Sequence, residues 1–163
     1  MKRHPSLHPL SRHHHFALIQ ALEMRRAAEA LPEKRDAAVQ RQAEKFIAFW
    51  RNTGIVHFRE EEEVLLPAYA RLARLDQDAE VMRLLADHAE IRAAVQDFEQ
   101  QRAKKLPIEA KAMAHLAKLL YDHVRLEENE VFPRIERALG EENLNAMGRG
   151  LTRLHSKNDV CEI

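Results

Sequence analysis

The segment His57-Phe58-Arg59-Glu60-Glu61-Glu62-Glu63-Val64-Leu65-Leu66-Pro67 is answered further along the chain by His123-Val124-Arg125-Leu126-Glu127-Glu128-Asn129-Glu130-Val131-Phe132-Pro133. Both read H-x3-E-E-x4-P, and the recurrence of His, Glu and Pro at one spacing marks an internal repeat. Residues four apart on a helix lie one turn apart on the same face. His57 with Glu61, and His123 with Glu127, can therefore each present an imidazole and a carboxylate together. If that face turns inward the glutamates need a partner, because ionised carboxylates are almost never buried without a cation or metal.

Around the repeat the chain is dominated by Ala, Leu, Glu, Arg, Lys and Gln with only four glycines, residues that lose least on entering a helix, which predicts an all-α fold. Apolar residues recur at helical spacing in Phe16, Ile19 and Leu22, and in Phe46, Phe49 and Trp50. They recur again in Val81, Leu84, Leu85, His88, Ile91 and Val95, and in Leu116, Leu119, Leu120 and His123. Breaks fall at Leu31-Pro32, around Leu75 to Asp78, and at Leu106-Pro107, where proline opens a helix more easily than it continues one. Four long helices with short connections predict an up-down-up-down four-helix bundle. A short C-terminal helix follows Gly140 through Leu144, Met147 and Leu151. The expectation is a single domain over 1–163, its core about 10–139 and its tail helix about 141–156. Pro67 and Pro133 should kink or end their helices. Gly54 either weakens its helix or lets a neighbouring backbone or ligand come close, the first being the simpler reading. The Glu60 to Glu63 run reads as a solvated face apart from Glu61.

The 26 basic residues balance the 26 acidic ones, so composition supports neither nucleic acid nor an anionic membrane as a partner. One cysteine, Cys161, cannot form an intrachain bridge and fits a reducing compartment. Met1 to Arg12 carries charges, histidines and two prolines where a signal peptide needs an apolar stretch, and no segment approaches a membrane span. The expectation is a soluble, cytoplasmic protein, a monomer or loose homodimer.

Ten histidines are the compositional oddity, since imidazole is the commonest metal ligand. His14 and His88 fall on the apolar stripes of the first and third helices, so each half of the chain supplies H followed by H-x3-E. His13, His14 and His15 are consecutive and only one can point inward, with His14 and His15 the candidates. His115, two turns before His123, reads as solvated or packed, with support of a ligand from behind as the alternative, and His4, His8 and His155 read as peripheral. Imidazole and carboxylate without thiolate suit iron, manganese or zinc.

His14, His57-Glu61, His88 and His123-Glu127 together resemble the hemerythrin-like, or HHE cation-binding, family, from about Leu10 to Pro133. The resemblance implies a metal-binding bundle around two iron ions, an oxo- or hydroxo-bridged di-iron centre. By that resemblance Glu61 and Glu127 bridge, His14 and His57 bind one iron, and His88 and His123 the other. The oxygen-carrying hemerythrins have a further histidine four residues on in the third helix and an aspartate in the fourth; here Arg92 and Glu127 stand there. Five ligands per iron leave a position open, which favours reaction with a small ligand (oxygen, nitric oxide or peroxide) over reversible oxygen binding. The ferritin-like E-x2-H motif is not formed at these positions. Arg92 reads as a surface salt bridge, or as a cation steadying a carboxylate or anion near His88. Alternatives are an iron- or oxygen-sensing, iron-delivery or iron-centre-repair module without turnover, and a metal-free helical interaction protein.

Overall fold

A computed structural model describes residues 3–158. Cys161 lies outside them. After a 3-10 turn, Pro5–Leu7, come α1 (His8–Ala28), α2 (32–70), α3 (Ala79–Ala103), α4 (110–139) and a tail helix α5 (141–158). The described residues contain no strand, and none of their helices is long and apolar enough to cross a membrane. The predicted breaks at Leu31-Pro32, Asp78 and Pro107 fall at the start of α2 and in the connections ahead of α3 and α4. Asp78 caps α3, accepting from the Val81 N–H at 3.2 Å, which satisfies one of the first-turn donors a helix leaves open. α3 ends with Lys105 at φ 58°, and the amides of Lys105 and Leu106 return to the carbonyls of Arg102 and Gln101, closing the helix end in a Schellman turn. Gly140 at φ 67°, ψ 172° separates α4 from α5, as the sequence suggests.

α1 packs on α4 and α2, and α3 on α4 and α2, enclosing a bundle core. That core has two apolar clusters. One centres on Phe46, Phe98, Met113 and Leu116, the other on Leu10, Leu65, Phe132 and Ile135. Along every helix the residues that pass from one cluster to the other are His14, His57 to Glu61, His88 and His123 to Glu127, so the bundle carries one polar layer between two apolar ones.

Two sequence expectations change. In α1 the buried stripe is Leu10, His14, Ala17, Ala21 and Met24, whereas Phe16 and Ile19 are 53% and 42% exposed. The period was right and the phase wrong, because α1 turns a face of small residues toward α4, and large side chains would hold the helices apart. Pro133 does not end its helix, which continues to residue 139. Instead, each repeat proline follows a π-helical turn, Glu61–Leu65 in α2 and Glu127–Val131 in α4. A proline inside a helix has no N–H to donate and crowds the carbonyl four residues back. The wider turn just before it accommodates both defects, and such turns occur often at functional sites.

Candidate metal centre

The π turn ahead of each repeat proline begins at the glutamate of its H-x3-E pair. His57 and Glu61 project inward from α2, His123 and Glu127 from α4, His14 from α1 and His88 from α3, all six buried. Their donor atoms form two groups, His14, His57, Glu61 and Glu127, and Glu61, His88, His123 and Glu127, with the atoms of each group within 4.8 Å of one another. Both glutamates belong to both groups. His14 Nε2 lies 2.8 Å from Glu127 Oε2 and His57 Nε2 lies 3.5 Å from Glu61 Oε1. On the other side His88 Nε2 is 3.1 Å from Glu61 Oε2 and His123 Nε2 is 3.2 Å from Glu127 Oε1.

His14 is thus the inward member of the triplet, and His15 is exposed. His115 pairs with Glu90 on the surface, its side chain 63% exposed.

Behind each histidine stands an outer carboxylate on the Nδ1 side. His14 Nδ1 donates to Glu128 at 2.6 Å and His88 Nδ1 to Glu62 at 2.7 Å. The Nδ1 atoms of His57 and His123 face Glu60 at 4.0 Å and Asp87 at 3.7 Å. Glu60 also meets His13 Nδ1 at 3.1 Å, so that His13, His57 and Glu60 form a smaller third group. The reading of Glu60 to Glu63 as solvated is therefore corrected. Glu60 is fully buried, Glu62 is half-buried, and only Glu63 is exposed. The second glutamate of E-E in both repeats was the available signal, since one turn with two adjacent acids can send them to different neighbours. Arg92 does form a salt bridge, but with Glu62 and so one step from His88.

Gly54 is also corrected from a mere weak point. A Cβ there would stand 2.4 Å from Cε3 of Trp50. The glycine lets the indole fold over the backbone and meet Phe58 edge-on, centroids 5.0 Å apart, while Phe58 stacks on His88 at 3.6 Å.

Electrostatics set these groups against one another. Burial and then the charge of Glu127 push the Glu61 carboxyl well above the ordinary carboxylate range. Burial works the same way on Glu127, but His123 and His14 outweigh it and hold that carboxyl well below. Burial disfavours a charged His14, yet Glu127 and Glu128 raise its pKa to about 9. Burial and the cationic His14 lower that of His57. Without a cation the layer therefore favours charge on His14 and Glu127 and disfavours it on Glu61 and His57.

The donor set fits a metal. Both oxygens of Glu61, Oε1 of Glu127, and Nε2 of His88 and His123 are buried without a hydrogen-bond partner, although each lies within 4 Å of an opposing nitrogen or oxygen. Buried polar atoms are rarely left so, and atoms that converge without bonding to each other are arranged around a shared point. Neutral imidazoles and carboxylates, with a carboxylate behind each histidine, are the ligands and supports that iron takes in proteins.

A helical bundle whose core presents four histidines and two shared glutamates defines a cation-binding helical protein. The chain belongs to the hemerythrin family: the model of the hemerythrin HHE cation binding domain matches residues 7–135. No curated protein and no solved structure matches the chain. The domain is of the metal-binding kind, typically for iron, and the buried His/Glu cluster fits that.

Proposed function

We propose that this chain is a non-haem di-iron protein whose centre binds or reacts with a small diatomic or peroxide ligand: oxygen, nitric oxide or peroxide. The observation that carries the reading is that two four-residue donor groups share Glu61 and Glu127. His14 and His57 would hold one iron, His88 and His123 the other, with the glutamates common to both. Iron so held would supply Lewis acidity and one-electron chemistry toward small oxidants.

The chain's own residues do the rest. They offer each metal two imidazoles and two carboxylates, fewer donors than a six-coordinate iron accepts, which leaves room for an outside ligand. A cavity of about 20 Å³ lies against His14, His57 and His123, walled by Phe46, Trp50, Phe58 and Leu120. A space of that size holds about one small molecule, and its aromatic and aliphatic walls exclude bulkier or charged substrates. The same reading takes 1–163 as one domain with its helices running up-down-up-down, cytoplasmic, a monomer or loose homodimer, without nucleic-acid or membrane partners.

Metal analysis of freshly purified protein beside its ultraviolet-visible spectrum tests the proposal. About two irons per chain, with a near-ultraviolet charge-transfer band that changes on adding peroxide or nitric oxide and disappears in Glu61→Ala/Glu127→Ala, is the expected result. Absence of metal, or metal that survives loss of both carboxylates, refutes it and leaves a helical interaction protein.

A further inference from the structure

Binding leaves the second glutamate of each H-x3-E-E repeat without a role. Glu62, on α2, reaches to His88 on α3, and Glu128, on α4, reaches to His14 on α1. Each of these glutamates is in turn held by an arginine. Arg92 binds Glu62 through both Nη atoms at 2.8 Å. Arg3 binds Glu128 Oε2 at 2.6 Å and its carbonyl at 2.9 Å, and the Ser11 hydroxyl donates to Oε1 at 2.7 Å.

The arginines do a second thing in common. Arg92 lies 5.1 Å over the Phe58 ring, which stacks on His88 with an interplanar angle of 15°. Arg3 lies 5.3 Å over the Phe132 ring, which stacks on His14 at 5.2 Å and 18°. Two arginine, glutamate, histidine and phenylalanine sets of one design thus flank the layer. Phe58 and Phe132 do not occupy corresponding places in the two repeats, and neither do Arg92 and Arg3 relative to their histidines. The likeness is therefore not a by-product of the duplicated motif.

Each set restrains its imidazole in two ways. The ring face is blocked by the stacked phenylalanine, and the Nδ1 edge is tied to a carboxylate that the arginine keeps in place. A carboxylate on Nδ1 keeps the proton there, so Nε2, the atom facing Glu61 and Glu127, is left as the electron-pair donor and becomes more basic. We infer that Glu62 and Glu128, steadied by Arg92 and Arg3, are positioning residues that hold His88 and His14 as Nδ1–H tautomers, each governing the affinity of one of the two metal positions. This rests on the di-iron reading. The supports differ in origin: Arg92 belongs to α3, while Arg3 comes from the segment ahead of the first helical turn.

The test is an anaerobic titration of full-length protein with Fe(II) against a competing chromophoric chelator. It is run on wild type, Glu62→Ala, Glu128→Ala and the Gln variants, each also melted in excess chelator to verify folding. In each Ala variant one of the two equivalents is expected to weaken by about 10–100-fold, with each chelated variant still unfolding cooperatively. Glu62→Ala should have no further effect in a His88→Ala background and its full effect in His14→Ala, and Glu128→Ala the reverse, because each acts through its own histidine. In Glu62→Gln and Glu128→Gln, which keep the shape and lose the charge, the midpoint potential of the loaded centre should rise. Wild-type affinity in both Ala variants, or equal weakening in both histidine backgrounds, overturns the inference while leaving the di-iron reading intact. Wild-type protein that takes up no Fe(II) overturns both.

Discussion

Glu61 and Glu127 face each other from α2 and α4, each opening a π-helical turn and each contributing to both donor groups of the polar layer. Either carboxylate alone is a familiar buried acid awaiting a partner. Together, with four imidazoles around them, they make a layer of buried donor atoms converging on points that a cation fits.

Removing metal should therefore cost stability, and the cost should depend on Glu61. A metal present at a thousand times its dissociation constant adds about 4 kcal/mol, seen as a melting temperature that falls on adding chelator. In the chelated protein Glu61→Gln should be more stable than wild type, by about 1–3 kcal/mol. It removes a carboxyl whose ionisation burial and the charge of Glu127 disfavour in the folded chain but not in the unfolded one. Calorimetry of both proteins with and without metal checks the two signs, and a chelated Glu61→Gln less stable than chelated wild type contradicts the account.

The choice within the histidine triplet is tested by single substitutions. His14→Ala should lose at least one of the two bound metals, while His15→Ala, at an exposed position, should keep both and an unfolding free energy within about 0.5 kcal/mol of wild type. Metal content by elemental analysis decides it.

Gly54→Ala sets helix propensity against packing. Alanine favours a helix over glycine by about 1 kcal/mol, but its Cβ would meet the Trp50 ring at 2.4 Å, and such overpacking costs about 1–3 kcal/mol. An indole wedged against Phe58 cannot yield as a flexible chain end would, so net destabilisation is expected. Trp50 is the only tryptophan, and its emission should shift in the variant; an unchanged spectrum and a raised melting temperature would argue against the close approach.

Asp78 gives the pH prediction. Burial disfavours its carboxylate, but Arg134, the Val81 amide and the Tyr69 hydroxyl outweigh that and hold its pKa below the usual range. A depressed folded-state pKa contributes stability above the unfolded value of about 4, and that contribution is lost as pH falls through the folded one. Asp78→Ala should cost about 1–2 kcal/mol at pH 7. Below pH 4 wild type should approach the variant, so that denaturation curves at pH 7 and pH 3 show a narrowing gap.

Much of this was legible from residues in a row. The H-x3-E-E-x4-P repeat placed four donors on two helices, and Pro32, Asp78, Pro107 and Gly140 placed the boundaries, because caps and breakers act within a turn of where they stand. The phase of α1 was not legible. Phe16 and Ile19 obey helical spacing as well as Ala17 and Ala21 do, and only the close approach of α4 selects the smaller face. The outer carboxylates escaped for a similar reason. Glu60, Glu62, Asp87 and Glu128 look like ordinary surface acids, and what distinguishes them is which histidine on another helix they meet.

What the sequence determined by itself was local: helical periodicity, the ends of helices, and the pairing of histidine with glutamate one turn apart, all fixed by backbone geometry over a few residues. What only the tertiary structure decided was convergence. The sharing of Glu61 and Glu127 between two donor groups, and the ring of outer carboxylates and arginines around them, depend on the rotation of each helix about its axis. That rotation is set by packing between residues far apart in the chain, and no spacing along the chain records it.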